Sequence, residues 1–293
     1  MQNRRDFLKN ASLMLAGGLV APQLLSSCAG KAAGSEKFIG LQLYSLREMV
    51  KEQGIKAVME SVAKMGYKNV ETAGYDDGKI YGLAPAEFKK ICDDLGVKCT
   101  SAHLSQAFSK EKEAEIMAWW DKAIEAHNQL GVKYMVQPWM PVNNETTLDD
   151  LKMYCDYFTS VGYKTAAASI AFGYHNHDFE FKKIEDQLIY DFLLNNVSKN
   201  HVFFQLDVYW CQVGGYDPAE YLKNYASQIK TVHIKDEKEI GASGKMNFQP
   251  IFEQMKANNV KDWYVEVEQY TNNAPEASVK ESFDFLNNSA FVY

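Results

Sequence analysis

From Phe38 onward the apolar positions keep two alternating rhythms. Short apolar runs are followed by longer stretches with apolar residues at helical spacing, and turn residues separate the two. Residues 38–43, 68–71, 97–103, 134–137, 171–175, 202–207, 229–235 and 263–268 read as strands. Residues 54–65, 84–95, 110–130, 147–167, 189–197, 248–258 and 275–287 read as helices, and Asp217-Pro218 opens another in cap-and-proline style. In the first helix Ile55, Val58, Met59, Val62 and Met65 fall on one face. Thr147 caps the fourth, and Gly66, Gly96 and Gly162 stand where helices end.

Eight strand–helix units in about 250 residues make an α/β chain with the arithmetic of a single (β/α)8 TIM barrel. The competing α/β arrangement is a doubly wound open sheet. No strand is followed by G-x-G-x-x-G and no P-loop occurs, so nucleotide binding has no support. No linker divides the run, which predicts one domain over residues 37–293.

Residues 1–36 keep neither rhythm. Arg4-Arg5 precede Phe7-Leu8-Lys9 and a short apolar run from Leu13 to Val20, which looks like a twin-arginine export signal over residues 1–27. Leu25-Ser26-Ser27-Cys28 resembles a bacterial lipobox, which makes Cys28 a lipidated first residue and 28–36 a flexible tether. The expectation is an exported protein, periplasmic or anchored to the outer membrane, touching lipid only through Cys28.

Composition narrows the partners. The 293 residues are 46% hydrophobic, enough for one large core. Lys+Arg number 31 against 38 Asp+Glu, a net charge of −7 that argues against nucleic acid as a partner. Losing the signal removes three basic residues and one acidic one, taking the net charge from −7 to −9. Cys92, Cys99, Cys155 and Cys211 would remain, and no two form a CxxC pair.

The candidate chemistry lies at the strand ends, where a barrel builds its site. In order they carry Gln42, Glu71, His103, Gln137, His175 with His177, Asp207, His233 with Lys235, and Glu266 with Glu268. Asp207, His233 and Glu266 come from three consecutive strands. Their oxygen and imidazole donors, without thiolate, suit one divalent ion: Mn, Mg, Co or Zn. The fifth strand must supply a fourth ligand, and His175, His177 and Glu180 all qualify by spacing. Glu266 and Glu268 share a strand face, which suggests one ligand and one base. Tyr44, Trp139, Tyr209 and Trp210 stand near the mouth, where an aromatic ring can stack on a sugar. His127 and His201 fall on the wrong side of the barrel and read as structural or exposed.

These pieces resemble the xylose-isomerase-like TIM-barrel superfamily, the sugar phosphate isomerase/epimerase family. The resemblance covers about residues 37–290. It rests on Gly-Leu-Gln-Leu-Tyr-Ser-Leu-Arg at 40–47, His-Asn-His-Asp-Phe-Glu-Phe at 175–181, Leu-Asp-Val-Tyr-Trp at 206–210, His-Ile-Lys-Asp at 233–236 and Val-Glu-Val-Glu at 265–268. It implies one metal held by Glu, Asp, His and Glu from strands five to eight. Asp207, His233 and Glu266 carry over, whereas His175 stands where many members have the first Glu. Glu180 is the preferred substitute, which frees His175 and His177 for proton transfer beside Lys235 and Glu268. Gln42, Glu71, His103, Gln137 and Trp210 are then expected on the substrate. The His-Asn-His-Asp-Phe-Glu pattern is similar to exported gut-bacterial members, some of which eliminate from 3-keto-sugars.

The resulting expectation is a metal-dependent isomerase or epimerase acting on a keto-sugar through an enediolate. Two alternatives stay open: a lyase or hydratase releasing the aglycone of 3-keto-glycosides, and a non-catalytic sugar-binding surface lipoprotein. The nuclease branch of the superfamily fits poorly, because its trinuclear zinc site needs more histidines and the net charge opposes DNA. The partner expected is a small carbohydrate, and a homo-oligomer is left open.

Overall fold

The computed structural model describes residues 37–293; the expected export signal and tether lie outside the described residues. Eight parallel strands close into a barrel: β1 (Gly40–Gln42), β2 (Asn69–Thr72), β3 (Lys98–His103), β4 (Tyr134–Gln137), β5 (Ala171–His175), β6 (Val202–Asp207), β7 (Ile229–Lys235) and β8 (Asp262–Glu266). Each strand pairs with its sequence neighbours, and β1 closes the ring against β8. The single (β/α)8 barrel read from the sequence is the observed fold. Among the described residues, no helix is long and apolar enough to cross a membrane.

The helices follow the predicted stripes. Helix Ile55–Met65 buries Ile55, Val58, Met59, Val62 and Met65, the face the spacing picked out. Gly66 and Gly96 end their helices in the left-handed conformation. Gly162 does not: it sits inside helix Leu148–Ala167, where a Cβ would strike the His201 carbonyl. Its role is close approach, not capping.

Other differences cluster at the C-terminal ends of the strands. β1 stops at Gln42 and turns into the 3-10 segment Leu43–Leu46. β8 stops at Glu266, so Glu268 lies on the loop beyond it. A short helix, Val208–Val213, follows β6 directly, because the Asp207 carboxylate accepts the Trp210 N–H at 2.8 Å. Two small hairpins, Tyr75–Ile80 and Lys183–Leu188, interrupt the β/α alternation. Cys92, Cys99, Cys155 and Cys211 are all free and buried.

His127 is structural, as its position suggested. It is buried in helix Glu113–Leu130, where Nδ1 donates to the Ala123 carbonyl at 2.7 Å and Nε2 has no partner. Burial pushes the imidazole down to about 4, against a smaller opposing effect of that hydrogen bond. A lowered folded value contributes stability that is present above 6.5 and lost as pH falls through about 4. His127→Leu should therefore flatten the loss of stability between pH 6.5 and 4, by on the order of 3 kcal/mol. Urea melts at several pH values check this.

Candidate active site

Register brings the polar strand ends into tiers. Gln42 pairs with Glu71 and Glu71 with Ser101; Gln205 pairs with His175, and Asp207 with His233. Glu71 is the hub of the lower tier and is fully buried. Its carboxylate accepts from Gln42 Nε2 at 2.7 Å, Ser101 Oγ at 2.5 Å, Gln205 Nε2 at 2.9 Å and His233 Nε2 at 2.6 Å. His103 Nε2 stands 3.1 Å away. Burial opposes ionisation of Glu71, but the His103 and His233 imidazoles and these hydrogen bonds outweigh it and hold the group at about 2.

That tier sets the histidine tautomers. Gln205 donates its amide to Glu71, so its carbonyl is left to accept from His103 Nε2 at 2.7 Å and His175 Nδ1 at 3.1 Å. His175 Nε2 then carries a lone pair. Burial, then the neighbouring imidazoles, keep His175 well below the usual histidine range. His233 is the opposite case. Burial disfavours its cation, yet Glu71 and Glu266 raise it to about 10.

Above this tier one donor atom from each of His175, Asp207, His233 and Glu266 lies within 4.8 Å of the other three. All four side chains are buried. Asp207 Oδ2 has no hydrogen-bond partner among the described residues. Burial, and then the balance of Lys235 against Glu266, leaves Asp207 raised to about 7. A buried carboxylate oxygen without a partner is costly unless something arrives to meet it. With His233 Nε2 held by Glu71, Nδ1 is directed at Glu266 Oε2, 3.3 Å away, and is the nitrogen that would bind an ion once it gives up its proton. A carboxylate behind a histidine is the usual outer support of a metal site. The donor set and the orphaned oxygen thus fit a divalent ion.

The cluster opens into a cavity of about 420 Å³. His103, His175, His177, Glu266 and Glu268 form its polar side, and Tyr44, Tyr75, Trp119 and Trp139 face it from the other elements. His177 Nδ1 is buried and unpartnered, and burial keeps the ring below its ordinary value. Lys235 is buried with Nζ 3.0 Å from Glu268 and 4.0 Å from Glu266. Burial disfavours its charge, but those carboxylates outweigh burial and raise its pKa.

Residues 59–289 match the family of xylose isomerase-like TIM barrels. The chain belongs to that family. Two structures from Parabacteroides distasonis ATCC 8503, each described as a sugar phosphate isomerase/epimerase, are similar to it. One is 38% identical, covering 88% of this chain and 100% of that one, with a TM-score of 0.83. The other is 33% identical over 91% and 99%, also at 0.83. The inosose dehydratase of Geobacillus kaustophilus (strain HTA426) is 23% identical over 197 residues. That match spans 61% of this chain and 61% of that protein.

Within this family member several expected residues have other duties. Glu180 does not join the cluster: its carboxylate accepts from Tyr174 OH at 2.5 Å and the His177 N–H at 2.8 Å. Strand β5 ends at His175, and the 3-10 turn Phe179–Phe181 folds Glu180 back beneath it. Burial outweighs those hydrogen bonds and raises Glu180 to about 8. Gln42, Glu71 and Gln137 are fully buried and do not line the cavity. Gln137 donates to the Gln106 and Trp139 carbonyls at 3.0 and 2.8 Å, fixing the loop that carries Trp139. Trp210 and Tyr209 also stand outside the lining; Trp210 packs 5.7 Å from Lys235 Nζ. The sequence reading overlooked Gln205, Ser101, Tyr75, Trp119 and Asn176. Asn176 clamps β5 to β6 by bonding both the N–H and the carbonyl of Asp207, at 3.0 and 3.3 Å.

Proposed function

We propose that this protein is a divalent-metal-dependent isomerase or epimerase that moves a proton beside the carbonyl of a keto-sugar. The observation that carries this reading is the set of four converging donors with the unpartnered Asp207 oxygen, at the base of a cavity bearing His177 and Glu268. His175, Asp207, His233 and Glu266 would hold the ion, with His175 in the place expected for Glu180. When bound, the ion supplies Lewis-acid polarisation of a carbonyl and its adjacent hydroxyl. His177, kept neutral by burial, takes the C–H proton at Nδ1. Lys235, kept charged by Glu266 and Glu268, offsets the negative charge that develops as the enediolate forms. The His177 imidazolium then returns that proton to a substrate carbon, while Glu268 stays ionised in its pair with Lys235. Export and the lipid anchor at Cys28 belong to the same proposal.

The test is proton NMR in D₂O with the protein supplied with Mn²⁺ or Co²⁺ and then exchanged into a diamagnetic metal. Simple ketoses and 3-keto-glucosides serve as substrates. Deuterium at the carbon beside the carbonyl, with the skeleton retained, is the expected result. Release of water or an aglycone would shift the assignment to elimination, the chemistry named for the Geobacillus relative. No exchange on any substrate with metal bound would overturn the proton-transfer reading.

A further inference from the structure

Beside its polar residues the cavity is lined by a group of aromatic side chains that have no role in moving a proton. Tyr44, Tyr75, Trp119 and Trp139 gather there with Leu104 and Pro138. Tyr44 and Trp139 remain 43% and 41% exposed at the rim. Large exposed aromatics beside a polar pocket point to a ligand that covers them. The wall is held rigid. Trp119 stands edge-on to both Tyr75 and Trp120, with centroids 5.2 and 5.1 Å apart. Gln137 fixes the Trp139 carbonyl, and the Arg47 guanidinium covers one face of Tyr44 at 4.5 Å.

The charges of the site point the same way. Among the described lining residues the carboxylates of Glu266 and Glu268 face the cavity, and no lysine or arginine does. Arg47, the one arginine among the described residues, donates to Tyr270 OH and to the Tyr44 and Glu268 carbonyls at 2.8, 3.1 and 3.1 Å. Lys235 is engaged by Glu268. Away from the ion that Glu266 would hold, a phosphate ester would meet the Glu268 carboxylate and no lysine or arginine in the lining.

We propose that the aromatic wall is a subsite for an uncharged aryl aglycone, so that the substrate is an aryl glycoside and not a sugar phosphate. This rests on the carbohydrate reading above and extends it to the non-reacting half of the substrate. The reacting ring sits over His175, His177, Glu266 and Glu268, and the aglycone stacks against Trp139 and the open face of Tyr44.

Isothermal titration with unreactive glycosides tests this without any turnover. The probes are phenyl and methyl β-glucoside, the same pair for galactose and xylose, and glucose against glucose 6-phosphate. In at least one pair the phenyl glycoside should bind about tenfold tighter than the methyl one. Trp139→Ala should erase that difference, as should Tyr44→Ala; both side chains are partly exposed, so neither change removes core packing. Glucose 6-phosphate should bind more weakly than glucose. Equal phenyl and methyl affinities in every pair, or tighter binding of the phosphate ester, would overturn the subsite. An aryl preference without D₂O exchange would remove only the reaction class. Exchange without an aryl preference would remove only the subsite.

Discussion

Asp207→Asn should leave the barrel folded and abolish binding of the divalent ion proposed for this site. The cap on helix Val208–Val213 survives, because the asparagine carbonyl still accepts the Trp210 N–H that Asp207 Oδ1 takes at 2.8 Å. The other oxygen, unpartnered in the native chain, becomes an amide that cannot ligate a cation. Activity should fall by about 10²–10³-fold or more, the range seen when one electrostatic group is removed from a site. Stability gives an independent readout. Native protein should gain thermal stability as Mn²⁺ is added, since an ion that binds only the folded state stabilises it by mass action, and the variant should gain none. The pH profile of the metal-free proteins should differ too. Burial and Glu266 raise Asp207 to about 7, so its contribution is present below the unfolded value and lost as pH rises through 7. The variant should lack that loss. A thermal shift with Mn²⁺ equal to that of the native protein would show that Asp207 is not a ligand.

Much of this site was readable from the chain, and the reasons mark where reading stopped. Strand ends were visible because a buried strand is apolar until it reaches the mouth, so Asp207, His233 and Glu266 announced themselves. Parallel register sets Asp207 beside His233, and Glu266 level with Lys235, the next residue on the same face of that strand. The sequence does not say how far each polar side chain sits below the opening. Gln42, Glu71 and Gln137 look like His103 in that respect, yet they are buried and committed to the protein. Glu180 was misplaced for a related reason. The resemblance called for a fifth-strand Glu and Glu180 lies just past that strand, but position alone does not show that the chain turns at His175 and brings Glu180 back onto Tyr174. Gln205 carried a usable signal: it is a polar residue within Val202–Asp207, two positions before Asp207 and on its face. Tyr75 and Trp119 carried none, because a two-residue hairpin strand has no period and a helical tryptophan reads as core.

Glu71→Gln should be the most destabilising single-atom exchange in the molecule. One carboxylate collects Gln42, Ser101, Gln205 and His233 as donors, with His103 3.1 Å away. A glutamine keeps one acceptor and turns the other into a donor, so donor would face donor on one side of the hub. Ser101 can rotate, but Gln205 cannot flip without withdrawing the carbonyl that holds His103 and His175. The His233 cation also loses a buried counter-charge. Breaking such a pair from one side costs about 3–5 kcal/mol. Both limbs of the stability profile should respond in the metal-free protein. Glu71, held at about 2, contributes stability that is present above 4.5 and lost as pH falls through 2. His233, raised to about 10, contributes stability that is present below 6.5 and lost as pH rises through 10. The window between 4.5 and 6.5 holds both contributions, so the deficit of the variant should be greatest there. Divalent-ion affinity should drop about 10–100-fold, because His233 would no longer be held with Nδ1 toward Glu266. Chemical denaturation across pH and calorimetric titration with Mn²⁺ measure the two effects separately. Loss of stability with unchanged Mn²⁺ affinity would mean that Glu71 holds the barrel together without orienting a ligand.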